Sequence, residues 1–137
     1  MNYLLDTDTC IAVLRGQESA VDAIQQTRPD QIAISSITRY ELTYGALRLC
    51  TKRQKTELAK IEKFLELIQE LPFQKSTAQI AARIRRELES EGRPIGPMDL
   101  QIAASALEAQ SILVTGNERE FGRIEGLKTE NWMRYTE

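Results

Sequence analysis

The sequence predicts an α/β fold with three layers, in which a short central parallel sheet lies between helices. Short apolar stretches alternate along the chain with longer segments of helical periodicity, which is typical of parallel strands joined by helices. The 137 residues are 42% hydrophobic and 28% charged, as in an ordinary globular protein. Since no repeat, linker or low-complexity tract divides them, residues 1–137 are expected to form a single domain.

The N-terminal half of the chain predicts two strands and four helices. Apolar runs predict strands at Asn2–Leu5 and Gln31–Ile34. The longest helix begins at Thr51, which has the spacing of a capping box with Gln54. Its apolar residues recur at helical spacing, at Leu58, Ile61, Leu65 and Ile68. The predicted helices are Thr9–Leu14, Ser19–Gln26, Ser36–Leu49 and Thr51–Glu70.

The C-terminal half predicts two more helices, separated by a loop that is rich in glycine and proline. Apolar residues spaced by four predict a helix at Ser76–Glu91, and a run of small residues predicts a closely packed helix at Asp99–Ala109. The remaining predicted strands are Ser111–Thr115, Leu127–Glu130 and, as a short strand or a linker, Leu71–Phe73.

The amino-acid composition excludes several kinds of active site. The chain has no histidine, which rules out a Ser–His–Asp triad, a Cys–His pair and histidine-bound zinc. Its two cysteines, Cys10 and Cys50, are too few for a disulfide scaffold and are expected to be buried, reduced thiols. With no apolar run of about 20 residues and no signal-peptide pattern, the protein is expected in the cytoplasm.

The charge pattern does not decide whether the protein binds nucleic acid. A formal net charge of −2 is unlike the basic surplus of most nucleic-acid-binding proteins. Basic clusters nevertheless occur at 52–55, at 83–86 and at Arg119 with Arg123. Each cluster fits a solvated helix face as well as it fits an RNA contact. The candidate RNA contacts are Arg85, Arg86, Arg93 and Arg119.

Acidic and polar side chains follow the predicted strands in four separate segments. They are Asp6, Glu41, Asp99, and a last group of Asn117, Glu118 and Glu120. In a parallel sheet, ligands bind beyond the carboxyl ends of the strands, so these side chains are expected at one edge. Several carboxylates brought together there would repel one another unless a cation lay between them, and Mg²⁺ or Mn²⁺ prefers such oxygen ligands.

Each acid also has a purely structural interpretation. Thr38 and Glu41 have the spacing of a capping box, Asp99 precedes a helical run as an N-cap residue does, and Asp8 is placed to cap the first helix. The two glutamates after the last long strand fit surface charges. Asp6 is the exception, because an unpaired carboxylate at the end of a buried strand is costly.

Four stretches of the chain together resemble a known family. LLDTDTCI, ISSITRYELTYGA, GRPIGPMDLQIAASA and ILVTGNEREFGRIEGLKTENW are similar, in order and spacing, to the successive motifs of PIN-domain ribonucleases. More narrowly, they resemble VapC-type toxins of bacterial toxin–antitoxin pairs. The resemblance runs from Tyr3 to Trp132. It implies a PIN-like fold and an endoribonuclease that depends on Mg²⁺ or Mn²⁺ and leaves a 5′-phosphate and a 3′-hydroxyl.

The same resemblance implies roles for individual residues. The acids of the family's pocket fall on Asp6, Glu41, Asp99 and Glu120. From the chemistry of such a pocket, we expect Asp6 and Asp99 to bind the metal directly, and Glu41 and Glu120 to bind it directly or through water. Polar support comes from Asn117, Thr115 and Asp8. Two positions depart from the family pattern: many relatives have Asn in place of Asp8, and many carry a second Asn or an Asp within the stretch that reads Thr115-Gly116-Asn117 here.

The resemblance also implies partners. Relatives cut the anticodon loop of a tRNA, often initiator tRNA, or a loop of ribosomal RNA. The apolar residues of the predicted helices Ser36–Leu49 and Thr51–Glu70 fit either a thick layer of core or a surface for a second copy and a small antitoxin. The resemblance favours a homodimer and an antitoxin that blocks the acidic pocket.

Two alternatives come from different classes of protein. Asp-x-Asp after an apolar strand also begins the haloacid-dehalogenase-type phosphatases, in which the first Asp is phosphorylated and the second is the acid/base. That family usually has Thr or Val where Cys10 stands, and it needs a Lys before a late acidic pair. The other alternative is an inactive module that only binds a partner.

Overall fold

Five short strands form one parallel sheet at the centre of the structure, a computed structural model that describes residues 2–133. The strands lie side by side in the order β3-β2-β1-β4-β5, and every neighbouring pair is parallel. Their bounds are β1 Tyr3–Leu5, β2 Ile32–Ser35, β3 Gln69–Leu71, β4 Ile112–Val114 and β5 Thr129–Glu130. The predicted parallel sheet is therefore confirmed.

Helices cover both faces of the sheet. Those within residues 2–133 are α1 Thr7–Leu14, α2 Glu18–Gln25, α3 Ser36–Leu47, α4 Thr51–Leu65, α5 Lys75–Ser90, α6 Pro97–Glu108 and α7 Glu118–Phe121. In this part of the chain, no helix combines the length and the apolar character that a membrane crossing requires.

The strands separate two hydrophobic cores because successive side chains of a strand point to opposite faces. Leu4 and Leu113 face one way and pack with residues of α5, α6 and α7. Leu5 and Val114 face the other way and pack with residues of α1, α3 and α4. The stripe of α4 belongs to this second core, where Ile61 and Leu65 are buried, so the interpretation of that stripe as core is the correct one.

The strand order places two neighbouring strand ends at a crevice. The chain first moves from β1 to β2 and β3 on one side, and β4 and β5 then lie on the other side of β1. The order therefore reverses between β1 and β4, and such a reversal opens a binding crevice at the carboxyl ends of the strands. Asp6 follows β1 there, and Thr115 follows β4.

Several predicted boundaries differ from those of the structure. The predicted helix Thr51–Glu70 ends at Leu65, and the next strand is Gln69–Leu71 rather than Leu71–Phe73, because this segment pairs with β2. Helix α6 begins at Pro97, two residues before the predicted start, since proline suits the first turn of a helix. The four-residue helix α7 was not predicted, because so short an element has no periodicity to detect.

The predicted capping box of α4 is wrong. Cys50 is the N-cap residue and its side chain makes no capping hydrogen bond. Gln54 turns back instead, and its Nε2 donates to the carbonyl oxygens of Leu47 (2.9 Å) and Leu49 (2.8 Å) at the end of α3. The expectation that both thiols are buried is also wrong for Cys50, which is exposed, while Cys10 is buried; both cysteines are free.

The core assignment predicts a large difference between two Leu→Ala substitutions. Leu113 in β4 is 0% exposed, whereas Leu67 is 71% exposed. We expect Leu113→Ala to lower the free energy of unfolding by about 2–5 kcal/mol, because it leaves a cavity in a packed core. The matched control, Leu67→Ala, should change it by about 0.5 kcal/mol or less. Urea unfolding measures both, and similar losses for the two variants would contradict the assignment.

Candidate functional site

Asp6 ends the central strand and begins the first helix. Its backbone N–H donates to the carbonyl oxygen of Val114 (3.0 Å), which extends the pairing of β1 with β4 by one residue. Its side chain is the N-cap of α1, with Oδ1 accepting from the Thr9 N–H at 2.8 Å. Burial raises the pKa of this carboxyl, and hydrogen bonds from Thr115 and Thr9 oppose that rise. Asp6 is thus a buried acid whose carboxylate accepts hydrogen bonds from Thr9 and Thr115.

Thr115 and Asn117 form a polar link after β4. Thr115 is fully buried, and its Oγ1 accepts from the Asn117 N–H at 3.0 Å. The Thr115 side chain also hydrogen-bonds to Asp6. The side-chain Nδ2 of Asn117 donates to Glu120 Oε2. These contacts tie the end of β4 to two of the candidate acids at once.

Glu41 lies in the second turn of α3, where it cannot cap the helix. Ser35 is the N-cap residue, and its hydroxyl accepts from the Ile37 N–H at 3.0 Å. The capping-box interpretation of Glu41 is therefore wrong. Glu41 Oε1 instead accepts a 2.5 Å hydrogen bond from the Thr7 hydroxyl, whose oxygen also lies 3.3 Å from Thr38 Oγ1.

Thr7 and Thr38 are polar contacts of the site that the sequence interpretation missed. Thr7 is the first residue of α1, directly after Asp6. Thr38 is fully buried in the first turn of α3. The only sequence signal for Thr7 is its position between two acids at a strand end, and nothing in the sequence pairs it with a helix more than 30 residues away.

Asp99 lies near the start of α6, but it does not cap that helix. The N-cap residue is Gly96, and the first helical residue is Pro97. The N-cap interpretation of Asp99 is therefore wrong. Its carboxyl has a pKa raised to about 6, first by burial and then by four nearby carboxylates. In order of decreasing effect, those carboxylates belong to Glu120, Asp6, Glu41 and Asp8.

The remaining acids are placed differently. Asp8 is exposed on the first turn of α1, and Asp6 rather than Asp8 caps that helix. After β4, Glu118 Oε2 contacts the hydroxyl of Thr129 in β5 at 3.3 Å, whereas Glu120 bonds to Asn117. The capping interpretation of Asp8 is thus wrong, and of the two glutamates Glu120 is the one tied to the polar link.

The donor set suits a hard divalent cation that keeps some of its water. Within residues 2–133, no group of three or more acidic or thiol side chains is arranged so that it could hold a metal ion. The carboxylates of Glu120, Asp6, Glu41 and Asp8 are nevertheless near enough to Asp99 to raise its pKa. Mg²⁺ typically takes one or two protein carboxylates and fills its other positions with water and substrate oxygens. Such an ion therefore does not require three protein ligands in direct contact.

The four candidate RNA contacts are exposed arginines. Arg85 Nε bonds to Glu89 Oε2 at 3.1 Å within α5, and Arg86 follows it on the same helix. Arg93 lies in the loop that leads to α6, and Arg119 lies in α7 beside Glu120. Arg93 and Arg119 therefore adjoin, along the chain, the segments that carry acids. Arg85 lines a cleft with Pro94 and Pro97, before Asp99.

Gly116 sits against the described end of the chain. A side chain added at this position would place its Cβ 2.4 Å from Met133 Cε. Met133 must therefore move if a larger residue replaces Gly116. Its flexible side chain can do so at small cost.

Comparison with known proteins identifies similar chains over almost the whole length. Residues 3–127 match the PIN domain family. The chain is 37% identical over 132 residues to a tRNA(fMet)-specific endonuclease VapC of Shigella flexneri, covering 96% of this chain and 98% of that protein. It is 35% identical over 133 residues to ribonuclease VapC2 of Haemophilus influenzae, covering 97% of this chain and 99% of the relative.

Solved structures show the same fold. A chain in the crystal structure of DNA-bound VapBC from Salmonella typhimurium superimposes with a TM-score of 0.90 at 34% identity, covering 96% of this chain and 98% of that one. A chain of VapBC2 from Rickettsia felis, bound to a DNA fragment from their promoter, gives 0.89 at 33% identity, with coverages of 96% and 99%. The predicted three-layer fold with a central parallel sheet is therefore confirmed.

The raised pKa of Asp99 predicts how stability depends on pH. Below its ordinary pKa of 3.8, the Asp99 carboxyl is protonated in both the folded and the unfolded protein. As the pH rises from 3.8 to about 6, it ionises first in the unfolded protein, and this lowers the free energy of unfolding. Asp99→Asn removes this penalty. Because Asp99 is partly exposed, solvent screening reduces the gain, and we expect about 1 kcal/mol.

Urea unfolding in EDTA checks this. Asp99→Asn should be more stable than wild type at about pH 7.5 and equal to it at about pH 4. The exposed Asp22→Asn serves as a control and should show no such difference. An Asp99→Asn variant that is no more stable than wild type at about pH 7.5 would contradict the assigned cause.

Proposed function

Because this chain belongs to the PIN-domain family of VapC-type toxins, we propose that it is a metal-dependent endoribonuclease and the toxin of a toxin–antitoxin pair. The match to this family over almost the whole chain carries the proposal. The structure supports it at Asp99, whose pKa is raised by burial and then by the carboxylates of Glu120, Asp6 and Glu41. We infer that acids from four separate segments serve the crevice between β1 and β4. Such a concentration of negative charge suits a cation and, through it, a phosphate.

We propose Mg²⁺ or Mn²⁺ as the cofactor, with Asp6 and Asp99 as direct ligands. Asp6 suits this role because its donors hold the carboxylate in one orientation. When bound, such an ion supplies Lewis acidity, which activates water and offsets the charge of the phosphate oxygens. Glu41 and Glu120 complete the set, bonding either directly or through retained water. This donor set takes the place of the histidine base that the chain lacks.

The chain's own residues hold the reacting groups in place. Glu41 and Glu120 accept hydrogen bonds from the attacking water and orient it in line with the leaving oxygen. Asn117 fixes Glu120 through its side-chain amide, and Thr115 fixes Asp6. Of the four arginines, Arg93 and Arg119 are the better placed to bind flanking phosphates, since they adjoin the acidic segments. The expected products are a 5′-phosphate and a 3′-hydroxyl.

RNA is the substrate, and we propose a tRNA loop as the target. The relative from Shigella flexneri bears the name tRNA(fMet)-specific endonuclease, and other relatives are named ribonucleases. A ribosomal RNA loop is the alternative within the same class of substrate. Both RNAs occur in the cytoplasm, which is where we propose that the protein acts.

An antitoxin protein and a second copy of the chain are the proposed partners. The related chains from Salmonella typhimurium and Rickettsia felis occur in VapBC complexes, and a similar structure from Mycobacterium tuberculosis belongs to the VapBC family of toxin–antitoxin systems. Helix α3 exposes more than half of Tyr40, Tyr44 and Leu47 in one stripe, which we propose as the homodimer contact. An antitoxin would inhibit by placing a basic side chain among the acids.

Neither alternative class of protein is favoured. The match to the PIN domain family covers residues 3–127, which leaves no reason to invoke a phosphatase. The carboxylates near Asp99 raise its pKa by electrostatic repulsion. A module that only binds a partner does not require such a costly arrangement of like charges.

The proposed function predicts opposite results for two neighbouring Asp→Asn variants. Asp6→Asn should reduce RNA cleavage by about 10³-fold or more, because it removes charge from a direct ligand while Asn keeps the N-cap of α1. Asp8→Asn should keep most of the activity, since Asp8 is exposed and many relatives have Asn there. Gel assays of purified protein with Mg²⁺ or Mn²⁺, and with excess EDTA, measure both.

Two results would contradict the proposal. One is undiminished cleavage in EDTA by a preparation free of other nucleases. The other is turnover of a chromogenic phosphomonoester that Asp8→Asn abolishes, which is what the phosphatase mechanism requires. Thermal unfolding of the two variants controls for loss of structure.

A further inference from the structure

The Thr7 hydroxyl joins the start of α1 to a carboxylate on α3. Thr7 Oγ1 lies 2.5 Å from Glu41 Oε1, although the two residues are 34 positions apart in the chain. An ionised carboxylate only accepts hydrogen bonds, so the hydroxyl of Thr7 donates to it. A hydrogen bond to a charged group is stronger than one between neutral groups, so this contact has the strength to select one rotamer of Glu41.

The position of Thr7 is itself fixed from two sides. The Asp6 side chain caps α1, so the first turn, which contains Thr7, cannot move without breaking the 2.8 Å bond to the Thr9 N–H. Thr38 is 0% exposed, and its Oγ1 lies 3.3 Å from the Thr7 hydroxyl oxygen. Thr7 therefore presents its proton from a rigid support, which is what precise placement of a carboxylate requires.

Glu41 needs such a restraint because basic side chains near it compete with the site for its carboxylate. Its side chain also lines a cleft between α1, α3 and α4, and the basic residues Arg15, Arg53 and Lys60 line the same cleft. A glutamate has several rotamers. Glu57 also lines this cleft and lies 3.8 Å from Lys60 Nζ, but the basic groups outnumber it and attract Glu41 away from the other acids. The Thr7 hydroxyl is the donor that opposes this attraction.

We propose that Thr7 is a positioning residue that holds the Glu41 carboxylate toward Asp6 rather than toward the basic side chains of the cleft that Glu41 lines. The inference rests on the proposed function, because it assumes that Glu41 serves a cation held by Asp6 and Asp99. Adjacent residues of the chain then perform complementary tasks: Asp6 supplies a ligand, and Thr7 orients a second acid from another element. Outer-shell partners of this kind typically change metal affinity or activity by about 10–100-fold when they are removed.

The test compares Thr7→Val, which has the same shape but no hydroxyl, with Thr7→Ser, which keeps the hydroxyl. Isothermal titration with Mn²⁺ gives the dissociation constant, and RNA cleavage gives kcat and KM. We expect Thr7→Val to weaken Mn²⁺ binding and lower kcat by about tenfold or more with KM little changed, and Thr7→Ser to stay near wild type. Thr56→Val, at an exposed position of α4, is the matched control.

A double-mutant cycle separates positioning from a merely structural role. In a Glu41→Ala background, Thr7→Val should change the Mn²⁺ dissociation constant by about twofold or less, because the carboxylate that it positions is gone. Thr7→Ala is measured in parallel, so that the cycle can be completed if the valine variant does not fold. Normal Mn²⁺ binding in Thr7→Val, or an equal loss in both backgrounds, would overturn the inference.

The same experiment distinguishes this inference from the proposed function. Wild-type protein that binds no Mn²⁺ would contradict the proposed function itself. Wild-type protein whose Mn²⁺ binding and cleavage need Asp6, but do not change in Thr7→Val, would overturn the role of Thr7 alone.

Discussion

The buried carboxylate of Asp6 is the constraint on which the rest of the site depends. One residue continues the pairing of the central strand through its backbone and caps the first helix through its side chain. Burying a carboxylate is costly, which is why the pKa of this group is raised in spite of the donors around it. Because the cap fixes the start of α1, it also fixes Thr7, and through Thr7 it reaches Glu41. A single position thus couples the sheet, the first helix and two of the acids.

The site without a cation is electrostatically unfavourable. Three of its acids have nearby donors: Thr115 serves Asp6, Thr7 serves Glu41, and Asn117 serves Glu120. Asp99 instead experiences burial and the charges of the other acids, which raise its pKa to about 6. A divalent cation would relieve this repulsion. Folded protein without the cation is destabilised by the repulsion, and cation binding would recover that free energy. We therefore propose that electrostatic repulsion between like charges at one edge of the sheet is a source of the metal affinity.

Much of this arrangement is predictable from the sequence because its causes are local. The apolar runs of β1, β2 and β4 are distinct enough to predict, and an acid after a buried strand stands out as a cost that needs a reason. The capping interpretations of Glu41 and Asp99 failed because Ser35 and Gly96, which precede them, already begin those helices. The contact of Thr7 with Glu41 was not predictable, since it depends on how two helices pack.

X-ray diffraction from crystals grown with Mn²⁺ can show whether these carboxylates surround one cation. Data collected near the manganese absorption edge locate the ion by its anomalous signal. We expect a peak between the carboxylates of Asp6 and Asp99, with Glu41 and Glu120 around it. A manganese peak elsewhere, or Asp6 and Asp99 bonded to basic side chains of the same chain with no ion between them, would contradict it.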